Sequence, residues 1–477
     1  MTSWTPLGLR RSTSPDSSES LTGGGWMPER TISRSPLICT PGGDRRRPIA
    51  VAWLAAALLS TAWVLPTAAE EPPGGVDSVV EALVEEALGS HPVLAAARSR
   101  AEAASEVPSR VSSPPDPWLS FGASNLRVDA PGLDTSPMSG LVLGLNQGLP
   151  FPGRLARRRD LAAAGEELAM ARVLSTETQV ALRVRERYWG LYLAERSLAI
   201  TEESAAVLDG LANAVTARFS VGEGAQQDAL QVQVAEARVR SMLQARQEGV
   251  RTARRALARA VGRSPEASFA EVAAPPEFAP RDAEETRRRL LEANPQLAAA
   301  RREVEVADAA VAEAKSALAP DLGAGVSWRI RGVVPGDASA GADMFSAGLS
   351  LSLPVWAATK QTAAIRERRA RRVAAAGDEA DLLLALESEL GSLLDARQRL
   401  DEELRIHLEQ LSPQSDQALS ASIEDYAVGR VGFVSVLQNW RVALDVQLAV
   451  ETLRSSRARV EARIDAITGI RTRTEEN

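Results

Sequence analysis

The chain has 477 residues and a net charge of −7, and its 45% apolar content is carried mainly by Ala, Leu and Val, because aromatic residues make up only 4%. This composition favours long helices packed through small side chains. Two histidines and one cysteine argue against a transition-metal site, since imidazole and thiolate ligands are nearly absent. The acidic balance argues against nucleic acid as a partner.

The N-terminal part of the chain contains two segments that precede the folded protein. Residues 1–44 are rich in Ser, Pro, Gly, Thr and Arg without periodicity, which predicts disorder or a wrongly assigned start, with Met27 as an alternative. Residues 45–69 show the basic, apolar and small-residue regions of a secretory signal peptide, with cleavage expected near Ala69. An uncleaved N-terminal anchor is the alternative. The first 69 residues carry seven arginines and four acids, a charge of +3, which leaves −10 for the rest.

An internal duplication organises the remaining chain. Residues 91–98 match residues 294–301 at an offset of 203, and two glycine-containing turns further along match at an offset of 207. Such a long, nearly constant offset predicts two copies of one structural unit. We therefore expect a first repeat over 70–277 and a second over 278–477.

Each repeat contains two stretches that alternate between apolar and small polar residues, the pattern of β-strands. The predicted strands cover about 117–128 and 140–149 in the first repeat, and about 322–332 and 345–353 in the second. About ten residues is the length that a tilted transmembrane strand needs. The alternation in the first strand fails after Ser124, which indicates a shorter or bulged strand. The leucines predicted to face lipid are Leu141, Leu143, Leu145, Leu349, Leu351 and Leu353.

Long helices are predicted between the strand pairs. The run from Gly153 to about Thr216 has no internal proline, and apolar residues recur there and in the second repeat at intervals of seven, which is typical of coiled-coil packing. Prolines mark the helix–strand junctions, where they stop a helix. The heptad positions include Val184, Leu191, Leu198, Leu386, Leu393 and Leu400.

Four strands per chain predict an oligomer. Four strands cannot close a barrel, and an open sheet edge in lipid leaves unpaired backbone groups that cost several kcal/mol each. Two copies would supply eight strands and three copies twelve, and either number can close.

The turn motifs 218–224 and 426–429, repeated at matching positions within a helix-strand-strand-helix-helix order, resemble the TolC-type outer-membrane efflux protein family over about residues 76–470. The resemblance implies a mainly α fold with a transmembrane β-barrel part, in which a homotrimer shares a 12-stranded barrel above a periplasmic α-helical coiled-coil tunnel. It implies a place in the outer membrane of a Gram-negative bacterium, extending into the periplasm. The implied partners are outer-membrane lipid, a periplasmic adaptor (membrane fusion) protein and an inner-membrane pump.

The resemblance also implies two sets of functional residues. Asp228 and Tyr426 would form the gate that closes the tunnel. Val431 stands where some members of the family place an arginine of the gate, and residues 146–154 are similar to members that serve heavy-metal and small-cation exporters. The glycines of the turns have an alternative role, which is only to end a helix with positive φ. The residues of the periplasmic tip that would dock the adaptor are Val221, Gly222, Gly224, Val428, Gly429 and Arg430.

The function that this resemblance implies is an exit duct of a tripartite efflux (RND-type) or type I secretion system, which conducts substrates passively. The competing interpretation is a periplasmic coiled-coil adaptor or scaffold, which would share the helices but would need no amphipathic strands. The sequence contains no phosphate-binding loop or nucleophile elbow, so we expect neither enzymatic activity nor a cofactor. His407 falls in heptad register, which favours a helix seam or a tunnel-facing position over a ligand role. Trp118, Trp328 and Trp356 lie near strand ends, as in an interfacial aromatic belt or in helix–barrel packing.

Overall fold

The computed structural model describes residues 76–270, 272–338 and 341–472, so the predicted signal peptide and the segment before it lie outside the described residues. None of the helices in these ranges combines the length and the apolar character needed to cross a bilayer. The strands are β1 Trp118–Ser124, β2 Gly140–Leu149, β3 Asp321–Ile330 and β4 Met344–Ser352. The helices are α1 Val76–Ser90, α2 Pro92–Ser105, α3 Val107–Ser112, α4 Arg154–Ser220, α5 Gln226–Val261, α6 Ala283–Ala293, α7 Pro295–Ser316, α8 Gln361–Ile406, α9 Ser412–Ala427 and α10 Phe433–Ile467.

The residues matched at an offset of 203 begin equivalent helices. The His91 side chain accepts a hydrogen bond from the Val93 amide (3.2 Å) at the start of α2, and the Asn294 side chain accepts one from the Leu297 amide (2.8 Å) at the start of α7. Each cap is followed by proline at the first helical position, where the missing N–H has no helical partner to lose. The repeated sequence therefore encodes a repeated helix start.

The four strands form one antiparallel sheet in the order β1-β2-β3-β4. Each repeat supplies a hairpin, and β2 of the first pairs with β3 of the second, for example Leu145 with Val326. The prediction of a first strand reaching residue 128 is wrong, because β1 ends at Ser124. Asn125 follows with a φ of 55°, a left-handed conformation that ends the extended chain. The alternative of a shorter strand is correct.

The register collects apolar side chains on one face of the sheet. Phe121, Leu143, Trp328 and Phe345 are successive register partners across all four strands and form one apolar row. The other face carries mainly Gly and Ser, and it is crowded: a Cβ at Gly323 would lie 2.5 Å from the Ser350 Oγ. The alternation predicted for single strands thus becomes an apolar and a polar face of the whole sheet.

The helices that leave the sheet carry the heptad seams expected from the sequence. With 67 residues, α4 is about 100 Å long at 1.5 Å per residue. Val184 and Leu191 are fully buried on α4, and the heptad leucines at 386, 393 and 400 are buried on α8. Tertiary contacts join α4 to α5, α7 and α10, so α4 is the helix around which the others are arranged.

The corresponding helix of the second repeat is interrupted. A π-helical segment, His407–Leu411, separates α8 from α9, and the Ser412 amide donates to the His407 carbonyl, five residues back. Pro413 lies in the first turn of α9, where it has no N–H to donate and its ring displaces the carbonyl four residues earlier, which widens the helix. His407 is half-buried at the start of this segment, with its Nδ1 2.8 Å from the Glu403 carbonyl oxygen. The break at Pro413 is not among the features predicted from the sequence.

A buried ion cluster ties the connector between the repeats to α10. The Glu461 side chain is fully buried and accepts hydrogen bonds from Arg281, at 2.8 Å, and from Arg397. Arg281, which precedes α6, also donates to Asp465 at 2.5 Å. One connector residue thus contacts two carboxylates of α10.

We expect Glu461→Gln to lower the free energy of unfolding by about 2 kcal/mol, because it removes the buried carboxylate that the half-buried Arg281 and Arg397 share, while Arg281 keeps its contact with Asp465. Urea unfolding followed by tryptophan fluorescence measures this loss. Glu402→Gln is the matched control, since Glu402 pairs with Arg405 on the solvent-exposed surface and should contribute nothing measurable. Equal losses in the two variants would contradict the assigned role of the buried cluster.

Candidate functional site at the helical tip and on the sheet

Two similar turns form one end of the helical region. The first joins α4 to α5 and the second joins α9 to α10. Gly222 and Gly429 occupy equivalent places in the two turns, with φ of 81° and 77°. The Gly222 amide donates to the Phe219 carbonyl and the Gly429 amide to the Tyr426 carbonyl, each at 3.1 Å. Positive φ favours glycine strongly, so both glycines have a conformational role whatever else they do.

Five of the six residues predicted to dock an adaptor are exposed on these turns. Val221 is 70% exposed and Val428 is 67% exposed. Gly222, Gly429 and Arg430 are also exposed. The structure thus presents a small apolar surface at the tip, with the exposed Arg430 beside it.

The sixth predicted docking residue, Gly224, is half-buried. A Cβ at this position would lie 2.8 Å from the Phe219 amide nitrogen, a contact that a side chain cannot make. The amide of Gly224 donates to the Arg218 carbonyl at 3.0 Å. Close packing of the turn on the end of α4 therefore explains this glycine without a docking role.

Arg218 joins the two turns, and sequence analysis gave it no role. Its Nη1 donates to the Tyr426 carbonyl oxygen at 2.5 Å, and its guanidinium carbon lies 4.9 Å from the centre of the Tyr426 ring. A Cβ at Gly429 would be 3.6 Å from the Arg218 Nη2, so the guanidinium also lies against the second turn. One side chain near the end of α4, in the first repeat, thus contacts the tip turn of the second repeat.

Tyr426 is the buried part of this contact. It is 5% exposed, and its ring packs on Phe433 with 5.8 Å between ring centres. Burial raises the pKa of Tyr426, the negative charge of Asp228 raises it further, and Arg218 opposes both. In the described part of the chain no hydrogen bond joins Asp228 to Tyr426. The structure therefore brings the two predicted gate residues into electrostatic range, while Arg218 makes the direct contact.

The raised pKa of Tyr426 predicts a loss of stability at alkaline pH. The neutral phenol is favoured in the folded protein, so its contribution is complete below the ordinary pKa of 10.0 and is lost as the pH rises through the folded value. Unfolding free energies measured from about pH 9 to about pH 11 should fall more steeply for the natural chain than for Tyr426→Phe. The pKa values of Tyr188 and Tyr192 are also raised, and both residues are present in both proteins. The difference between the two stability curves therefore reports Tyr426. Parallel pH curves would show that Tyr426 is not coupled to folding.

A groove runs between the first turns of α5 and α10, beside the tip. Leu230, Val234 and Val434 are exposed along it. Gln438 also lines the groove, and Ser435 close by is exposed. The remaining lining residues are glutamines and arginines together with Leu437, so the groove is apolar with a neutral to cationic rim.

The leucines predicted to contact lipid lie on the apolar face of the sheet. Leu349 is 89% exposed, and the others are exposed except Leu141, which is half-buried. Leu353 lies one residue beyond the end of β4 and is also exposed. An apolar surface of this extent requires a covering of lipid or protein.

No curated protein sequence matches the chain, whereas several solved structures resemble it. The structure of the outer-membrane channel OprN superposes with a TM-score of 0.69 at 21% identity, covering 82% of this chain and 90% of that one. The structure of VceC from Vibrio cholerae superposes with a TM-score of 0.69 at 19% identity, and the match covers 83% of this chain and 98% of VceC. The open state of MtrE from Neisseria gonorrhoeae superposes with a TM-score of 0.67 at 18% identity, and the match covers 82% of this chain and 89% of MtrE.

These structural likenesses confirm the predicted fold, mainly α with a β-sheet part. The family model described as outer membrane efflux protein matches the chain twice, over residues 83–263 and 286–470. The two matches cover most of the sequence, and they agree with the TolC-type resemblance seen in the turn motifs. The chain belongs to the outer membrane efflux protein family.

Proposed function

We propose that the chain forms the outer-membrane exit duct of a tripartite efflux or type I secretion system and conducts substrates passively across the periplasm and the outer membrane. The observation that carries this proposal is the junction, within one chain, of a sheet with an exposed apolar face and helices about 100 Å long. The family membership supports the same function. The duct has no reaction of its own, and the energy for transport comes from the inner-membrane pump.

The duct is a homotrimer. In the described chain β1 and β4 are the outer strands of the sheet, each with one unpaired edge. Because neighbouring strands alternate in direction, β1 and β4 run opposite to each other, and the β4 edge of one copy can pair antiparallel with the β1 edge of the next. Three copies then close a twelve-stranded barrel with its apolar face in lipid and its Gly and Ser face towards the channel.

The tip is both the gate and the adaptor-binding end. Val221 and Val428 offer exposed apolar contacts beside a groove that suits an amphipathic helix of the adaptor. Arg218, Tyr426 and Asp228 hold the two turns of each protomer together and keep the tip closed until the adaptor binds. The cargo of the duct follows from the pump that it joins.

A periplasmic adaptor or scaffold is the second candidate. Such a protein would use the helical hairpins, but its sheet would have no reason to expose Leu349 and its neighbours along one complete face. The apolar face therefore favours the duct.

Site-specific cross-linking tests the proposed assembly in cells that depend on this chain for export. Val221→Cys and Val428→Cys, carrying a short bifunctional reagent, should each cross-link to the adaptor. Val373→Cys on α8 is equally exposed but lies near the sheet end and should not. A strain that lacks the chain, challenged with metals, dyes and antibiotics beside the natural strain, identifies the cargo. Cross-links to the adaptor at Val373 alone, with export intact, would contradict docking at the tip.

A further inference from the structure

The two helices that descend from the sheet begin with clusters of cationic side chains. Residues 153–160 and 360–372 together contain ten cations and only two carboxylates, in a chain whose net charge is −7. We call these ten residues the basic collar. They are Arg154, Arg157, Arg158 and Arg159 on α4, Lys360 immediately before α8, and Arg366, Arg368, Arg369, Arg371 and Arg372 on α8.

Half of the basic collar is paired with carboxylates of the chain. These pairs are Arg154 with Asp321, Arg157 with Asp160, Arg158 with Glu313, Arg371 with Glu367, and Arg372 with Asp308. The other five cations have no carboxylate within 4.0 Å among the described residues, and all of them are exposed except Arg368, which is half-buried. Each protomer therefore carries five positive charges without a carboxylate partner near the starts of α4 and α8. The unpaired cations are Arg159, Lys360, Arg366, Arg368 and Arg369.

The basic collar directly follows the apolar face of the sheet. Between the two lie exposed apolar and aromatic side chains, among them Phe151 and Trp356, which is 73% exposed. Arg159 is about 8 Å along α4 from its first residue, and Arg369 is about 12 Å along α8, distances comparable to the screening length in physiological salt. An apolar band, then aromatic rings, then basic side chains is the order found where a protein passes from the bilayer core through the headgroups into water.

We propose that the basic collar binds the anionic headgroups of phospholipids in the outer-membrane leaflet that faces the periplasm. This inference rests on the proposed function, which places the apolar face of the sheet in the bilayer. Guanidinium groups donate paired hydrogen bonds to phosphate oxygens, and five unpaired cations need net negative charge that zwitterionic lipids lack. Each cation near an anionic surface strengthens association about fivefold, so several together select anionic over zwitterionic lipid.

Electron spin resonance with spin-labelled lipids tests the proposal. The full chain is reconstituted in phosphatidylcholine vesicles with a trace of spin-labelled phosphatidylglycerol or spin-labelled phosphatidylcholine, and the immobilised fraction of each probe gives their relative association constants. The natural chain should prefer phosphatidylglycerol at least about fivefold, and the preference should fall in 1 M salt, where screening is strong. The triple variant Arg159→Gln, Arg366→Gln and Arg369→Gln, which removes three of the five unpaired cations, should lower this ratio several-fold.

A matched triple variant controls for the loss of charge itself. Arg240→Gln, Arg255→Gln and Arg259→Gln remove three exposed arginines from α5, which begins at the tip, and should leave the preference unchanged. A natural chain that immobilises both probes equally, or a collar variant that keeps its preference, would overturn the proposal while leaving the duct intact. A collar variant that keeps its lipid preference but loses the adaptor would make the basic collar a protein-binding surface. Failure to immobilise any lipid would overturn the membrane placement of the sheet and the inference with it.

Discussion

Arg218→Ala is expected to raise the resting conductance of the reconstituted channel about tenfold or more. A hydrogen bond from a charged donor contributes about 1.5–3 kcal/mol, and the contact with the Tyr426 ring adds about 0.5–1 kcal/mol. Loss of about 2 kcal/mol in each of three protomers is large enough to shift a closed tip towards open states, because each 1.4 kcal/mol is a factor of ten in the equilibrium. Single-channel recording in planar bilayers measures the effect. Cells that carry the variant should also become sensitive to large hydrophilic antibiotics that the outer membrane excludes.

Two variants separate this contact from a general charge effect. Arg430→Ala removes a cation from the same tip, but Arg430 is exposed and pairs with the partly exposed Asp425 at 3.4 Å, so the conductance should hardly change. Arg218→Lys keeps the charge without the planar fork and should give an intermediate conductance. If Arg218→Ala and Arg430→Ala behave alike, Arg218 does not hold the tip closed.

The second large effect is expected on the sheet. Leu349→Arg with Leu351→Arg places two charges per protomer on the proposed lipid face, each costing about 2–4 kcal/mol at the bilayer midplane. Three protomers multiply that penalty, so the barrel should fail to assemble. Heat-modifiable mobility in unheated gel electrophoresis reports assembly directly.

Ser346→Arg is the control for this experiment. Ser346 is exposed on the same strand but lies on the polar face, opposite Ser327 of β3. In the trimer that face lines the channel, so an arginine there should permit assembly and alter only conductance. Normal assembly of the double leucine variant would mean that the two faces are assigned the wrong way round.

The strands and their faces were readable from sequence because alternation is a local property of each strand. Leu349 and Ser350 point to opposite faces whatever the strand pairs with, and Pro354 ends the pattern by removing a donor. The heptad leucines of α8 could also be identified from sequence, because a repeat of seven specifies a buried seam without reference to a partner. The family resemblance then supplied the assembly that local patterns leave open.

The features that sequence analysis overlooked depend on contacts between distant residues or on single unusual conformations. Arg218 and Tyr426 are 208 positions apart, and nothing near Arg218 in sequence indicates the carbonyl that it binds. The burial of Glu461 beside Arg281 is likewise decided by how the connector packs. Of these features, only the helix break before α9 could have been predicted from sequence, because a proline such as Pro413 inside a helix disturbs it.

Membrane fractionation combined with unheated gel electrophoresis tests the proposed duct most directly. The account predicts that the mature chain is recovered in the outer-membrane fraction and migrates as a trimer that heating converts to monomer. Recovery as a monomer in the soluble periplasm would contradict it, since the four-stranded sheet would then have neither lipid on its apolar face nor a partner at its edges.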